Sequence, residues 1–300
     1  VHTPEETPKN NPIVLIGVFS LIVLCVLGLG GITQLETSRR INGRAVAAPG
    51  VTVVQSTETE APRPRAVHRL ADHPLLTAPV RLPAVTCALP GFGVSDAELS
   101  AYYQAGVVCL DQAWRPVLEQ ANLPFDSPAL DTSPDLAEGP CGSAPAESEA
   151  VAYYCGRNRT IYMPTRRLRD NGGGERAGSH LATLAHEYGH HVQALTGMLR
   201  AADTKIVDAG EKTPAGLEMS RRIELQANCF AGMFLVAVSG SIGTGLAQEA
   251  AEDFQYAVEE PPEKNAHGSP ANQSEWASQG YTTGVTSSCN TYAAPAAAVG

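Results

Sequence analysis

Apolar residues recur at helical spacing in three stretches of this chain and crowd into an unbroken run in a fourth. Over 96–120, Tyr102, Tyr103, Val107, Leu110, Trp114 and Leu118 return every three or four positions, and Ser95 or Asp96 is placed to cap the first turn. The spacing predicts a helix in which Pro116 is either a kink or a boundary. Over 179–195, Leu181, Leu184, Ala185, Tyr188 and Val192 form an apolar stripe that stops near Gly197. Over 220–238, Ile223, Ala227, Phe230, Ala231 and Phe234 form another, ended by Gly240 and Gly243. Residues 150–154 and 160–163 read as two short strands about the turn Gly156-Arg157-Asn158-Arg159. Asn171-Gly172-Gly173-Gly174 is a strong breaker. Residues 122–150, rich in Pro, Ser, Asp and Gly, read as a long irregular loop. The part after Asn265 reads as loops with short helical pieces.

The unbroken run is 13–32, which carries no charge. At 1.5 Å per residue it matches a hydrocarbon core of roughly 30 Å. It is read as a single transmembrane helix, with a cleaved secretory signal as the alternative. Residues 1–12 before it are a polar tail. Residues 33–80 carry Pro49, Pro62, Pro64, Pro74 and Pro79 among Thr, Glu and Arg, the composition of a linker. Within it, 51–54 is a candidate short strand. This leaves 81–300 as the folded domain.

Composition narrows the function. Apolar residues make up 43% of the 300, enough for a sizeable core, while 28 Gly and 22 Pro call for generous loops. A net charge of -10, from 21 bases and 31 acids, argues against a nucleic-acid surface.

The chemistry lies in His186-Glu187-Tyr188-Gly189-His190. Residues four apart on a helix share a face, so His186 and His190 can present two imidazoles to one ion. Glu187 follows the first ligand, where its carboxylate can take a proton from a water that a zinc ion activates. Two imidazoles are not enough, because catalytic zinc takes three protein ligands and keeps one position open. His191 points roughly 100° away around the helix and is read as a surface or supporting group. His180 is read as structural or capping. On the next helix Glu224 offers the missing carboxylate, against the alternative of a solvated helix residue. Asn228, one turn later, can accept the second ring proton of a ligand histidine. His267, in a later loop, is either a donor to a developing oxyanion or a ring packed on Trp276.

Several segments carry a resemblance. They are Ala185 to Gln193, Glu224 to Gly232, His267-Gly268-Ser269-Pro270 with Trp276 and Gly280-Tyr281, and Cys289-Asn290-Thr291-Tyr292. Upstream, Cys141-Gly142, Tyr154-Cys155 and Ile161-Tyr162 add to them. Together they resemble the bacterial putative neutral zinc metallopeptidase family over about 95–292. The resemblance implies an α+β, zincin-like domain that cleaves peptide or protein substrates. It makes His186, His190 and Glu224 the zinc ligands and Glu187 the general base. Two departures stand out. Asn228 occupies a position that is normally aspartate in that family, and Asn272-Gln273-Ser274-Glu275 replaces a segment that usually holds a Gln-Arg pair. These departures leave a non-catalytic zinc-binding scaffold as an alternative. A metal-dependent amidohydrolase or esterase is another, since the same activated water serves it.

The resemblance also pairs Cys141 with Cys155 and Cys229 with Cys289. Cys87 and Cys109 remain and are read as a third pair. Paired cysteines place the domain outside a bacterial cell membrane, anchored through 13–32. Arg39, Arg40 and Arg44, just after the run, pull the other way by the positive-inside rule. Six reduced thiols in a cytosolic domain are the competing expectation.

Overall fold

The computed structural model describes residues 63–136, 138–143, 145, 150–257 and 260–300. The tail 1–12, the run 13–32, the strand 51–54 and most of the linker lie outside the described residues. The chain divides between Thr59 and Glu60, and everything below belongs to the unit Glu60–Gly300.

The packed chain begins before Leu82. Leu70, Leu75 and Leu76 are buried in the core, the last two on the short helix α1 (Pro74–Thr77), capped by the His73 ring. The end of the linker, 70–80, is therefore part of the domain. Its prolines hide the few leucines that pack.

Helix α2 (Asp96–Gln120) takes the predicted bounds. Ser95 and Glu98 form a reciprocal capping box, with the Glu98 N–H donating to Ser95 Oγ and the Ser95 N–H to Glu98 Oε2. The helix runs through Pro116. Burial of Trp114, Val117 and Leu118 around it offsets an interior proline's cost of about 3 kcal/mol. A three-stranded sheet follows, of β1 (Ala129–Asp131), β2 (Tyr153–Cys155) and β3 (Thr160–Tyr162). Its order is β1-β3-β2, with β1 parallel and β2 antiparallel to β3, so β2 is an edge. Strand β1 lies inside the stretch read as loop. It is three residues long and half exposed, too short to leave an alternation in the sequence.

Beyond α3 (Thr165–Asn171) the fold is helical: α4 (Ala177–Thr196), α5 (Met198–Ala209), α6 (Pro214–Ile242), α7 (Thr244–Asp253) and α8 (Pro270–Thr283). Gly197 closes α4 in the left-handed region (φ 92°), a conformation glycine reaches without penalty. Helix α6 starts six residues earlier than the apolar stripe suggests, because Thr213 caps it and Pro214 opens it. It runs through Gly240 to Gly243. By length and hydropathy it could cross a membrane, yet 67% of its apolar window is buried inside the domain. Helix α8 corrects the reading of the C-terminal part as short pieces. Ser269 caps it and Trp276 and Ala277 bury one face.

Two close approaches set the geometry around α6. A Cβ added at Gly189 of α4 would meet the Ala227 backbone at 3.0 Å, so these helices touch main chain to main chain. On the other side, a Cβ at Gly232 would collide with Ala277 O, and one at Gly280 with Cys229 O. Disulfides join Cys87–Cys109, Cys141–Cys155 and Cys229–Cys289, the three expected pairs. The last ties the C-terminal segment to α6. Peptide mapping of non-reduced protein, with free thiols alkylated beforehand, should recover all three pairs. Alkylation of all six cysteines in protein from its native source would contradict this.

Candidate metal centre

The touch at Gly189 and Ala227 brings the ligand residues of α4 and α6 face to face. His186 and His190 lie one turn apart on α4, and Glu224 lies across from them on α6. The two Nε2 atoms are 3.1 Å apart, and Glu224 Oε2 is 3.2 Å from each. These three atoms form a metal-capable group.

The hydrogen bonds behind the rings decide what the group wants. Asn228 Oδ1 accepts from His186 Nδ1 at 2.7 Å. Gln193 Oε1 accepts from His190 Nδ1 at 2.9 Å. The Gln193 amide cannot turn over, because its NH2 donates to Ile223 O at 2.8 Å and to Gln226 Oε1 at 3.0 Å. Gln226 in turn donates to Cys289 O at 3.1 Å, beside the disulfide to Cys229. With each Nδ1 engaged by an amide oxygen, the remaining ring nitrogen, Nε2, is the one turned toward Glu224 and the other ring. Two ring nitrogens and a carboxylate oxygen then face one point, where a cation, a proton or a metal, is favoured. Ligands tetrahedrally placed at ~2.0 Å from zinc lie ~3.3 Å apart, close to the separations seen. The residues therefore fit a zinc ion.

The electrostatics agree. Burial works to raise the Glu224 carboxyl, but His190, His186 and His267 overcome it and hold it well below the ordinary carboxylate range. Burial lowers His190, and Glu224 reverses this and pushes it up to about 9. The pocket thus attracts positive charge, as a proton or as a metal. Glu187 is different: burial raises its carboxyl, and the neighbouring imidazoles only partly offset this. It is 7% exposed. A carboxylate that takes up a proton readily suits a general base.

His186, Glu187, His190, Glu224, Asn228 and His267 all line one cleft of about 660 Å³. The His267 ring is held by Glu260 Oε2, 3.0 Å from Nδ1, while the Trp276 indole donates instead to Ala298 O. His191 is buried and supports the sheet, bonded to Tyr154 Oη and Asp126 O. His180 is likewise structural, bonded to Tyr103 Oη and Gly174 O. Sequence reasoning gave no role to Gln193, although it lies three residues after His190 and so shares its face. Glu260 carried no signal, since nothing along the chain shows that it reaches His267.

Two imidazoles, a carboxylate and an adjacent buried glutamate on crossing helices define a metallohydrolase-type centre. The chain belongs to the putative neutral zinc metallopeptidase family, whose model matches residues 88–292. It is 30% identical over 241 residues to an uncharacterized protein of Mycobacterium tuberculosis, covering 68% of this chain and 77% of that protein. Over 215 residues it is 24% identical to the uncharacterized protein YpfJ of Escherichia coli K12, covering 66% and 73% respectively. No solved structure matches.

The oxygen of Asn228 is what the His186 ring needs. Asn228→Leu should weaken zinc affinity by roughly 10- to 100-fold, the usual effect of losing such a support. Asn228→Asp, which keeps the oxygen and adds charge, should bind zinc at least as well. Competition with a chromophoric chelator measures both. Weaker binding in the Asp variant would contradict the geometry.

Proposed function

We propose that this domain is a zinc endopeptidase, acting through His186, His190 and Glu224 as metal ligands and Glu187 as general base. The observation that carries the reading is the convergence of two imidazole nitrogens and a carboxylate oxygen beside a buried carboxylate in an open cleft. When bound, zinc supplies an activated water and polarises the scissile carbonyl. Glu187 takes the proton of that water and passes it to the leaving amine. His267, its ring steadied by Glu260, faces the same cleft and donates to the oxyanion that develops on the carbonyl.

Two features favour a peptide over another acyl substrate. Tyr153 and Tyr154 line the cleft, and they belong to β2, whose outer edge has no strand partner among the described residues. An extended peptide can pair with such an edge. The cleft also runs along one face of α4, past Arg176, Thr183, His186 and His190. The 14 residues of α4 from Ala177 to His190 span about 21 Å, room for a chain on the far side of the scissile bond as well. The scaffold alternative drew on Asn228 replacing aspartate, but its oxygen stands where a ring-orienting acceptor is required.

The proposed setting is the outer face of a bacterial cell membrane, with 13–32 as a single-pass anchor. The three disulfides support it, since such bonds persist in oxidising compartments. Glu187→Gln should abolish cleavage of an unfolded protein substrate, by roughly 10²- to 10⁴-fold or more, while leaving zinc content unchanged. Wild-type turnover in that variant would remove Glu187 from the mechanism.

A further inference from the structure

Beyond the zinc ligands, one wall of the cleft is built by α5. Leu199, Asp203 and Ile206 lie at helical spacing on this helix and face the cleft together, with Ile223 of α6 among the lining residues. Three of these four side chains are aliphatic. The fourth is a carboxylate that makes neither a hydrogen bond nor an ion pair with any described residue. The remaining acids lining the cleft are engaged. Glu224 faces two imidazoles and Glu187 sits beside them, while Asp253 binds Arg176 and Ser179. Among the described residues, Arg176 is the one Lys or Arg lining the cleft. It sits at the start of α4, tied to Asp253 and Glu249. Asp203 is exposed and lines the cleft between the partly buried Leu199 and Ile206, near the buried Ile223, without an ionic partner among the described residues.

We propose that Asp203 determines specificity by receiving a Lys or Arg side chain of the peptide substrate near the scissile bond. This rests on the peptidase reading above. A basic side chain fits both parts of the wall. Its aliphatic stem covers Leu199, Ile206 and Ile223, and its cationic head meets the carboxylate. An acidic side chain placed there would meet like charge, and a neutral one would leave Asp203 desolvated without a partner. The chain's net charge of -10 adds long-range attraction for basic peptides.

The test uses the full chain and peptides identical except for Arg, Lys, Gln or Glu at one position near the cleaved bond. Cleavage is compared as kcat/KM, and binding of the fluorescent Arg and Gln peptides is measured on the Glu187→Gln chain, which needs no turnover. Arg and Lys peptides should be preferred over Gln on the order of tenfold in both readouts. Asp203→Asn and Asp203→Ser should each remove the preference, and Asp203→Lys should turn it toward Glu. Two neutralising variants are made so that a folding defect in one, seen by circular dichroism, leaves the other to decide. A preference that survives neutralisation, or no basic preference in wild type, overturns the role of Asp203. Cleavage without basic preference would sink this inference and leave the peptidase reading standing. Selective binding lost on neutralisation, with no cleavage by wild type, would do the reverse.

Discussion

The structure depends on one contact, the passage of α4 over α6 at Gly189 and Ala227. A side chain at position 189 would force the Ala227 backbone to give way by a few tenths of an ångström, so glycine favours this close approach. That approach puts Glu224 Oε2 within 3.2 Å of both imidazoles. The clustered atoms draw positive charge: against the effect of burial, Glu224 pushes His190 up to about 9, and the same three atoms can hold a metal ion. The helices set the position at which a cation is favoured.

Such a site works only if the ligands cannot turn away. The path that holds His190 is unusually complete. It runs from Gln193 to Gln226, then to the Cys289 carbonyl, and the Cys229–Cys289 disulfide returns it to α6. Gln193 and Gln226 both donate through their side-chain nitrogens, so rotating either amide would leave a buried polar group unpaired. The disulfide therefore serves the metal centre as well as the C-terminal segment. It also keeps α8 against α6, where Gly232 and Gly280 permit backbone contact. The same face of α4 that carries the ligands forms the floor of the cleft, so one helix orders both the chemistry and the path of the substrate.

Much of this was legible along the chain, and the particulars show why. Helix α2 announces itself by the Ser95–Glu98 box and a regular apolar stripe. Helix α4 ends where Gly197 demands a left-handed turn. Histidines 186 and 190 follow from spacing alone, because a helix turns every 3.6 residues. Other elements left weaker traces. Helix α5 is mostly exposed and polar, with Met198 and Ala202 its buried residues, so no periodic stripe marked it. Helix α8 was obscured by Gly, Ser and Asn, although Ser269-Pro270 is a sound start signal. Glu224 and Asp203 reach the cleft, and Glu260 reaches the His267 ring, through tertiary packing, which no local pattern encodes. For Glu224 the family resemblance supplied what spacing could not. The other two needed coordinates.

The central claim is that two imidazoles and one carboxylate hold a single zinc ion with a position left for water. X-ray absorption at the zinc edge, on the zinc-loaded full chain, tests it most directly. The account predicts a shell with two imidazole nitrogens at ~2.0–2.1 Å, completed by oxygen at ~2.0–2.2 Å, and no sulfur. Sulfur scattering at ~2.3 Å, or a shell made of three or more imidazoles, would contradict it.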